Sequence, residues 1–254
     1  LKQVPAAEYN PTECIKTNIN GAENIVKSAL ENKVSRVIGL STDKAVNPIN
    51  LYGSTKLCSD KILVAGNNIK GKSATIFSVV RYGNVFNSRG SVYSVFKNQL
   101  KNKQPITLTD NKMTRFNISL EDSIKFVIKS INIMKGGEIF IPKIPSLKIE
   151  DLAKVMNGTK NKMKIIGLRP GEKLHEILCP KDESQNVIEY KEFFVNTPSI
   201  TFYKKVNYFK YGSLKGKKVG RDFEYNSFTN NNYLNLRQIA KLVKNENSKA
   251  NYKL

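Results

Sequence analysis

Ser41, Thr42, Asp43 and Lys44 set two hydroxyls, an acid and a base side by side, and the run Tyr52, Gly53, Ser54, Thr55, Lys56 follows shortly after. On a helix, Tyr52 and Lys56 stand four residues apart on one face, so their tips can meet. A phenol with a pKa near ~10 is a poor base at neutral pH, but an ammonium held beside it favours the phenolate. Tyr52 could then take a proton from an alcohol while a hydride leaves the same carbon, with Thr42 hydrogen-bonding the oxygen. The spacing alone is a weak signal, because Tyr93 with Lys97 and Tyr211 with Lys215 repeat it. What distinguishes Tyr52 is the hydroxyl-bearing segment just upstream.

The flanking residues indicate how that segment is held. Val37 to Leu40 is a short apolar run with β-branched residues and reads as a buried parallel strand ending in Ser41 and Thr42. Pro48 bars an early helix start, and Leu57, Ile62 and Leu63 continue a helix from Tyr52. Upstream, Asn10 as N-cap, Pro11 at the first helical position and Glu13 open a helix whose apolar positions are Ile15, Ile19, Ala22, Val26 and Ala29. Downstream, Ala74 to Val80 reads as a second buried strand, delivering Arg81 to Val85 at the C-terminal end where open α/β sheets gather ligands. Pro105–Thr109 and Arg115–Ile118 flank a polar turn and suggest a two-strand unit. Ser119 caps a helix with one apolar stripe, Ile124, Val127, Ile128 and Ile131, expected to pack. Gly136 and Gly137 end it, and Glu138 to Ile141 returns as a strand. From Pro142 the elements shorten, with prolines as punctuation. A helix runs to Met156, Lys164 to Ile166 is a short strand, and Gly167 to Lys173 leads to a helix start that suits phosphate and places His175 on the helix. Leu234 to Val243 suggests a last helix, and Asn245 to Leu254 is polar enough to fray.

The 254 residues, 40% apolar, suffice for a real core. No run approaches the ~18 to 20 apolar residues of a membrane span, so a soluble cytoplasmic protein without membrane attachment is expected. Three scattered cysteines and one histidine, His175, argue against a disulfide framework or a metal site. The net charge of +21 invites a nucleic-acid partner, but the lysines are spread along the chain. The densest basic region, Tyr203 to Arg221, reads as a solvated loop or hairpin, and no nucleic-acid role is assigned.

Ser41 to Leu57 as a whole closely resembles the active-site segment of the inverting UDP-N-acetylglucosamine 4,6-dehydratases, extended short-chain dehydrogenase/reductases of the pseudaminic acid pathway. The resemblance continues through Leu1–Pro5, Val79–Asn84, Met113–Phe116, Pro142–Ser146, Gly167–Glu176 and Phe223–Ser227. It implies an α/β fold: part of a Rossmann-like, doubly wound parallel sheet in residues 1–103 and 117–141, and a smaller α+β substrate domain in 104–116 and 142–254. No Gly-x-Gly-x-x-Gly occurs in the chain. The family carries that turn in its first βαβ units, so the chain is expected to be truncated by roughly 90 residues at its N-terminus, at ~30 per unit.

The resemblance also implies the chemistry. NADP takes a hydride from C4 of the UDP-sugar, C5 is deprotonated, the C6 hydroxyl leaves as water, and the hydride returns to C6 with inversion at C5. Thr42, Tyr52 and Lys56 serve the first step, and Asp43 and Lys44 resemble the acid and base of the elimination. A lysine acting as base must be largely neutral, so a lowered Lys44 pKa is expected from burial and from Lys56 nearby. Beside Tyr52 and Lys56, the segment Val85, Phe86, Asn87, Ser88, Arg89 is implied to line the cofactor. Lys2, Leu40, Ser41, Asn84, Arg169, Tyr225, Asn226 and Ser227 are implied on the substrate side, Arg169 at the diphosphate. His175 is given no catalytic role. Two departures fall near the cofactor: family members usually carry Gly where Asn87 stands, and Ile or Val then Pro at Tyr93 and Ser94. If positive φ is needed at 87, Asn is the most tolerant replacement for Gly. A homo-oligomer is expected of the complete protein. The alternatives are an inactive or split fragment of such an enzyme and a nucleotide-sugar epimerase of the same superfamily; a retaining dehydratase would carry Asp-Glu after the threonine.

Overall fold

A computed structural model describes residues 1–158, 163–202 and 206–251. The helices are α1 (Val4–Tyr9), α2 (Pro11–Ile15), α3 (Gly21–Glu31), α4 (Leu51–Ile69), α5 (Val92–Lys101), α6 (Leu120–Ile133), α7 (Ile149–Asn157) and α8 (Leu236–Asn251). The strands begin with β1 (Arg36–Thr42), β2 (Ile76–Tyr82), β3 (Asn84–Val85), β4 (Thr107–Leu108), β5 (Thr114–Ile118), β6 (Ile139–Pro142), β7 (Ser146–Lys148) and β8 (Lys164–Ile165). They continue with β9 (Ile177–Cys179), β10 (Val187–Glu189), β11 (Phe193–Asn196), β12 (Lys210–Tyr211), β13 (Leu214–Lys215), β14 (Lys217–Lys218) and β15 (Tyr225–Asn226).

The chain divides into two compact units: residues 1–82, 121–143 and 177–226, and residues 83–120, 144–176 and 227–254. The first unit holds a six-stranded sheet in the order β1-β2-β6-β11-β10-β14. β1, β2 and β6 run parallel, the Rossmann-like part, and β11, β10 and β14 extend it antiparallel. These last strands explain a departure from the expected boundaries: β10, β11 and β14 complete the main sheet, so residues 177–226 group with the first unit instead of the substrate domain, and 83–103 fall in the second unit.

In the first unit, α4 crosses from β1 to β2, and the parallel register sets Ser41 opposite Arg81 and Thr42 opposite Tyr82, so both strands finish at one level. β2 is buried through Phe77, Val79 and Val80. β1 departs from the expectation of a buried strand: among the described residues it pairs with β2 alone, and Leu40 is 50% exposed. Pro11 opens α2 as expected, although Asn10 makes no side-chain cap bond. A π-helical turn at Lys16–Asn20 then shifts the helix phase. Cys14, Asn18, Ala22, Val26 and Ala29 therefore form the buried face, while Ile15 turns outward. α6 also splits its expected stripe. Phe126, Val127 and Ile131 pack beside Phe140 and Phe193, whereas Leu120, Ile124 and Ile128 are exposed at helical spacing. Within the basic region β12 and β13 form a hairpin; Tyr203, Lys204 and Lys205 lie outside the described residues.

The second unit has its own core, in which Phe86, Tyr93, Phe96, Leu147, Leu152 and Ile239 bring α5, α7 and α8 together. The expected strand pair around Asp110 does not form. β4 pairs with β8, and β5 lies between β3 and β7. α8 continues to Asn251 instead of fraying at Asn245. No helix follows Gly167–Lys173: Pro170 and Gly171 make a turn, so neither Arg169 nor His175 stands at a helix N-terminus. No described helix is long and apolar enough to cross a membrane.

Candidate active site

The first unit gathers the central residues at the C-terminal end of β1. Thr42 is the last strand residue, and its hydroxyl caps the 3-10 turn Asp43–Ala45 by accepting from the Lys44 backbone N–H. Thr42 Oγ1 donates to Asp43 Oδ1 at 2.8 Å, and Lys44 Nζ donates to the same oxygen at 3.1 Å. Asp43 is fully buried, and its other oxygen, Oδ2, has no partner in the structure. A buried carboxylate oxygen without a donor is costly, so Oδ2 is the one oxygen of Asp43 open to a further donor.

α4 brings in Tyr52 and Lys56. Asn50 caps it, accepting from the Gly53 N–H at 2.8 Å, and Glu8 accepts from the Leu51 N–H at 2.7 Å. Gly53 allows the helix to start against the acid-base turn, since a Cβ there would lie 2.2 Å from the Lys44 carbonyl oxygen. Tyr52 is buried, with the Thr42 hydroxyl acting on its phenol. Burial pushes its phenol above the ordinary value, and the Lys44 charge and the Thr42 hydroxyl pull it back only in part. This corrects the expectation of a phenol lowered by Lys56. The Lys56 ammonium is instead tied to the Leu40 carbonyl at 2.7 Å, and burial lowers its own pKa despite the nearby Asp60.

Asp60, which sequence reasoning missed, and Arg81, which it placed at the strand end without a partner, adjoin these residues. Ser41 Oγ donates to Asp60 Oδ2 at 2.6 Å, and Arg81, fully buried at the end of β2, lies 3.6 Å from the same oxygen and 3.1 Å from Glu183 Oε2. Burial raises the Asp60 pKa against the pull of Arg81 and Ser41. Asp60 follows Lys56 by four residues, as Lys56 follows Tyr52, so the helical face that suggested the pair already contained it. Arg81 thus holds the end of the sheet together, and its side chain is committed to protein partners.

The other expected residues are placed as follows. In the first unit, Lys2 and Leu40 are exposed, Tyr225 is buried beside Phe194, and Asn226 donates to Glu224. In the second unit, Asn84 on β3 has a buried amide oxygen without a partner. Val85 and Ser88 are half-buried, Phe86 is buried, Arg89 is exposed, and Asn87 has φ +56°. Arg169 is exposed. Ser227 is fully buried, with its hydroxyl accepting from the Glu176 N–H and bonded to Thr114, which also meets His175 Nδ1 at 2.8 Å. His175 stacks on Phe228, and burial lowers its pKa.

Residues 1–198 match the polysaccharide biosynthesis protein family. A UDP-N-acetylglucosamine 4,6-dehydratase (inverting) from Campylobacter jejuni is 50% identical over 96% of this chain and 73% of its own length. A UDP-glucose 4-epimerase from Rickettsia felis is 41% identical over 96% of this chain and 72% of its own. Among solved structures, Pen from Bacillus thuringiensis superposes with a TM-score of 0.85 at 35% identity, covering 97% of this chain and 74% of that one. The chain belongs to the polysaccharide biosynthesis protein family and is a relative, within it, of the inverting UDP-N-acetylglucosamine 4,6-dehydratases.

Proposed function

We propose that the chain carries the acid-base centre of an NADP-dependent UDP-N-acetylglucosamine 4,6-dehydratase that inverts C5. The product is UDP-2-acetamido-2,6-dideoxy-L-arabino-hex-4-ulose, a precursor of pseudaminic acid. The observation that carries this reading is the Thr42, Asp43, Lys44 turn, with its unpartnered buried carboxylate oxygen and the buried Tyr52 phenol on which Thr42 and Lys44 act.

Each residue has a task the geometry supports. Tyr52 takes the O4 proton, with Thr42 orienting both Tyr52 and O4. The resulting 4-ketone acidifies C5, whose proton Lys44 accepts as a neutral amine, which it becomes when the proton of the Lys44–Asp43 pair resides on Asp43. Asp43, in the form that carries the pair's proton on Oδ2, the oxygen not engaged by Thr42 and Lys44, gives that proton to the departing C6 hydroxyl, which leaves as water. The shared contact at Oδ1 fixes acid and base relative to each other, as elimination across C5 and C6 requires. A bound nicotinamide supplies the hydride acceptor at C4 and the donor at C6. In the first unit Tyr52 and Lys56 would hold its nicotinamide end, and Val85, Phe86, Asn87, Ser88 and Arg89 in the second unit are the cofactor residues that the family resemblance implies. Lys2, Leu40, Ser41, Asn84, Arg169, Tyr225, Asn226 and Ser227 are the proposed substrate-side residues. Arg169 would act as a planar guanidinium on phosphate, without a helix terminus behind it. A homo-oligomer in the cytoplasm completes the reading.

The epimerase relative supplies the rival, since an epimerase needs the Tyr and Lys pair without an acid and base for water loss. The test supplies UDP-N-acetylglucosamine and NADP to the chain alone and to the chain fused behind the corresponding N-terminal part of the Campylobacter jejuni relative, and follows products by NMR in D2O. A 4-keto-6-deoxy sugar with inverted, deuterated C5, lost in Lys44→Ala, is the expected result. A C4 epimer that keeps its C6 hydroxyl would establish the rival, and undiminished C5 deuteration in Lys44→Ala would remove Lys44 as the base.

A further inference from the structure

The two departures expected near the cofactor, Asn87 and the pair Tyr93 and Ser94, are linked in the second unit through a hydrogen bond between Asn87 and Ser94. Asn87 adopts φ +56°, the left-handed region that Asn tolerates best among non-glycine residues. Its side chain is engaged at both ends: Oδ1 accepts from Ser94 Oγ at 3.4 Å, and Nδ2 donates to Glu246 Oε2 at 2.8 Å. Ser94 has a backbone N–H that proline would lack, and it donates this to Ser91 Oγ, capping α5. Ser94 Oγ also reaches the Ser88 carbonyl. Tyr93 is buried with its ring 4.8 Å from that of Phe86, and the Glu246 charge adds to burial in raising its phenol pKa. Glu246 lies on α8, which the fully buried Ile239 anchors in the core containing Phe86 and Tyr93.

We infer that Glu246 is a positioning residue: through Asn87 it latches the loop of residues 86–91 to the C-terminal helix and fixes the loop's conformation. Where the family pattern has glycine, proline and a branched aliphatic residue, this chain has a hydrogen-bonded brace reaching to α8. The consequence for ligand binding rests on the proposal that this loop lines the cofactor. In that case α8, remote in sequence from every other assigned residue of the cofactor, tunes cofactor affinity.

The experiment pairs amide hydrogen exchange of Ser88 and Ser91 with NADPH binding by fluorescence titration, in the full chain and in Glu246→Ala, Glu246→Gln, Asn87→Gly and Asn87→Gly with Glu246→Ala. A partly exposed charge-assisted bond predicts exchange about three- to fivefold faster in Glu246→Ala. Exchange at Ile239 should be unchanged, because α8 is anchored independently. Glu246→Gln, whose amide carbonyl still accepts from Asn87, should stay within about twofold of the starting protein. Glu246→Ala should add nothing in the Asn87→Gly background. Unchanged exchange at Ser88 and Ser91 in Glu246→Ala overturns the latch, as does full additivity with Asn87→Gly. Faster exchange with a matching loss of NADPH affinity supports both latch and cofactor reading. Faster exchange with NADPH affinity unmoved supports the latch and refutes its link to the cofactor.

Discussion

Gly53→Ala isolates the contact that places α4 against the Asp43–Ala45 turn. The added methyl would lie 2.2 Å from the Lys44 carbonyl oxygen and 3.0 Å from Pro48 Cβ. Contacts below 3.0 Å essentially do not occur, so the turn or the helix must retreat by about 0.8 Å, and the nearest obstacle is backbone, which cannot rotate away. In a helix, Ala gains up to about 1 kcal/mol over Gly, whereas overpacking of this kind costs about 1–3 kcal/mol. The net expectation is a loss of about 1–2 kcal/mol, or roughly 2–8 °C in Tm for a chain of this size. The same retreat moves Lys44 and Asp43 away from Tyr52, and a displacement near 1 Å at reacting groups costs about 100-fold in rate. Thermal unfolding and the C5 deuteration assay of the fused chain measure the two effects. A variant with unchanged or higher Tm and unchanged deuteration would refute the reasoning, because it would mean that helix and turn separate freely.

Arg81→Met should cost about 3 kcal/mol in urea unfolding at neutral pH, since it strands Asp60 and Glu183; adding Asp60→Asn should recover part of the loss, and no recovery would mean that Arg81 acts by packing alone. Glu138, fully buried in the first unit, accepts from Ser78 Oγ, the Lys135 N–H and Tyr211 Oη, yet burial raises its pKa above the ordinary carboxylate value. A raised folded pKa means that the protonated side chain is favoured in the fold, so its contribution is complete below the unfolded pKa and is lost as pH rises through the folded one. Glu138→Gln should therefore match the starting protein in acid and become more stable than it toward neutral pH, as unfolding at a series of pH values would show; a gap that opens in acid instead would reverse the sign.

How far the fold could be read from sequence depended on whether the deciding interactions were local. The strand into Ser41 and Thr42, the helix from Tyr52 and the terminal helix all follow from short-range patterns, and the structure has each of them. What escaped was set by distant partners. β1 reads as buried because its residues are apolar, but its burial depends on how many neighbours it has, and among the described residues it has one. The α6 stripe contains enough apolar residues for two faces, and the sequence does not say which face meets Phe140 and Phe193. Residues 187–218 look like part of a punctuated small domain, yet β10, β11 and β14 find their partners in the main sheet through antiparallel pairing that no local pattern encodes.

The candidate site divides in the same way. Residue identities and their helical spacing were legible; the charge balance was not, because a pKa depends on which of several cations ends nearest. The Tyr52 and Lys56 spacing suggested an ammonium lowering a phenol. In the folded chain the Leu40 carbonyl occupies Lys56, and Lys44, on a turn rather than the helix face, is the cation acting on Tyr52, too weakly to offset burial. Tyr52 is thus held neutral at physiological pH, and it can act as a base only if substrate or cofactor brings a cation or donor closer to its oxygen. Lys56 is the group suited to that change, since a single hydrogen bond to a carbonyl is all that holds it on β1. A Lys56→Met variant should then leave the Tyr52 titration of the free chain, followed by ultraviolet difference spectra, within about 0.3 units of its starting value, while abolishing C5 deuteration in the fused chain. A large upward shift in the free chain would show instead that Lys56 already acts on Tyr52 before any ligand arrives.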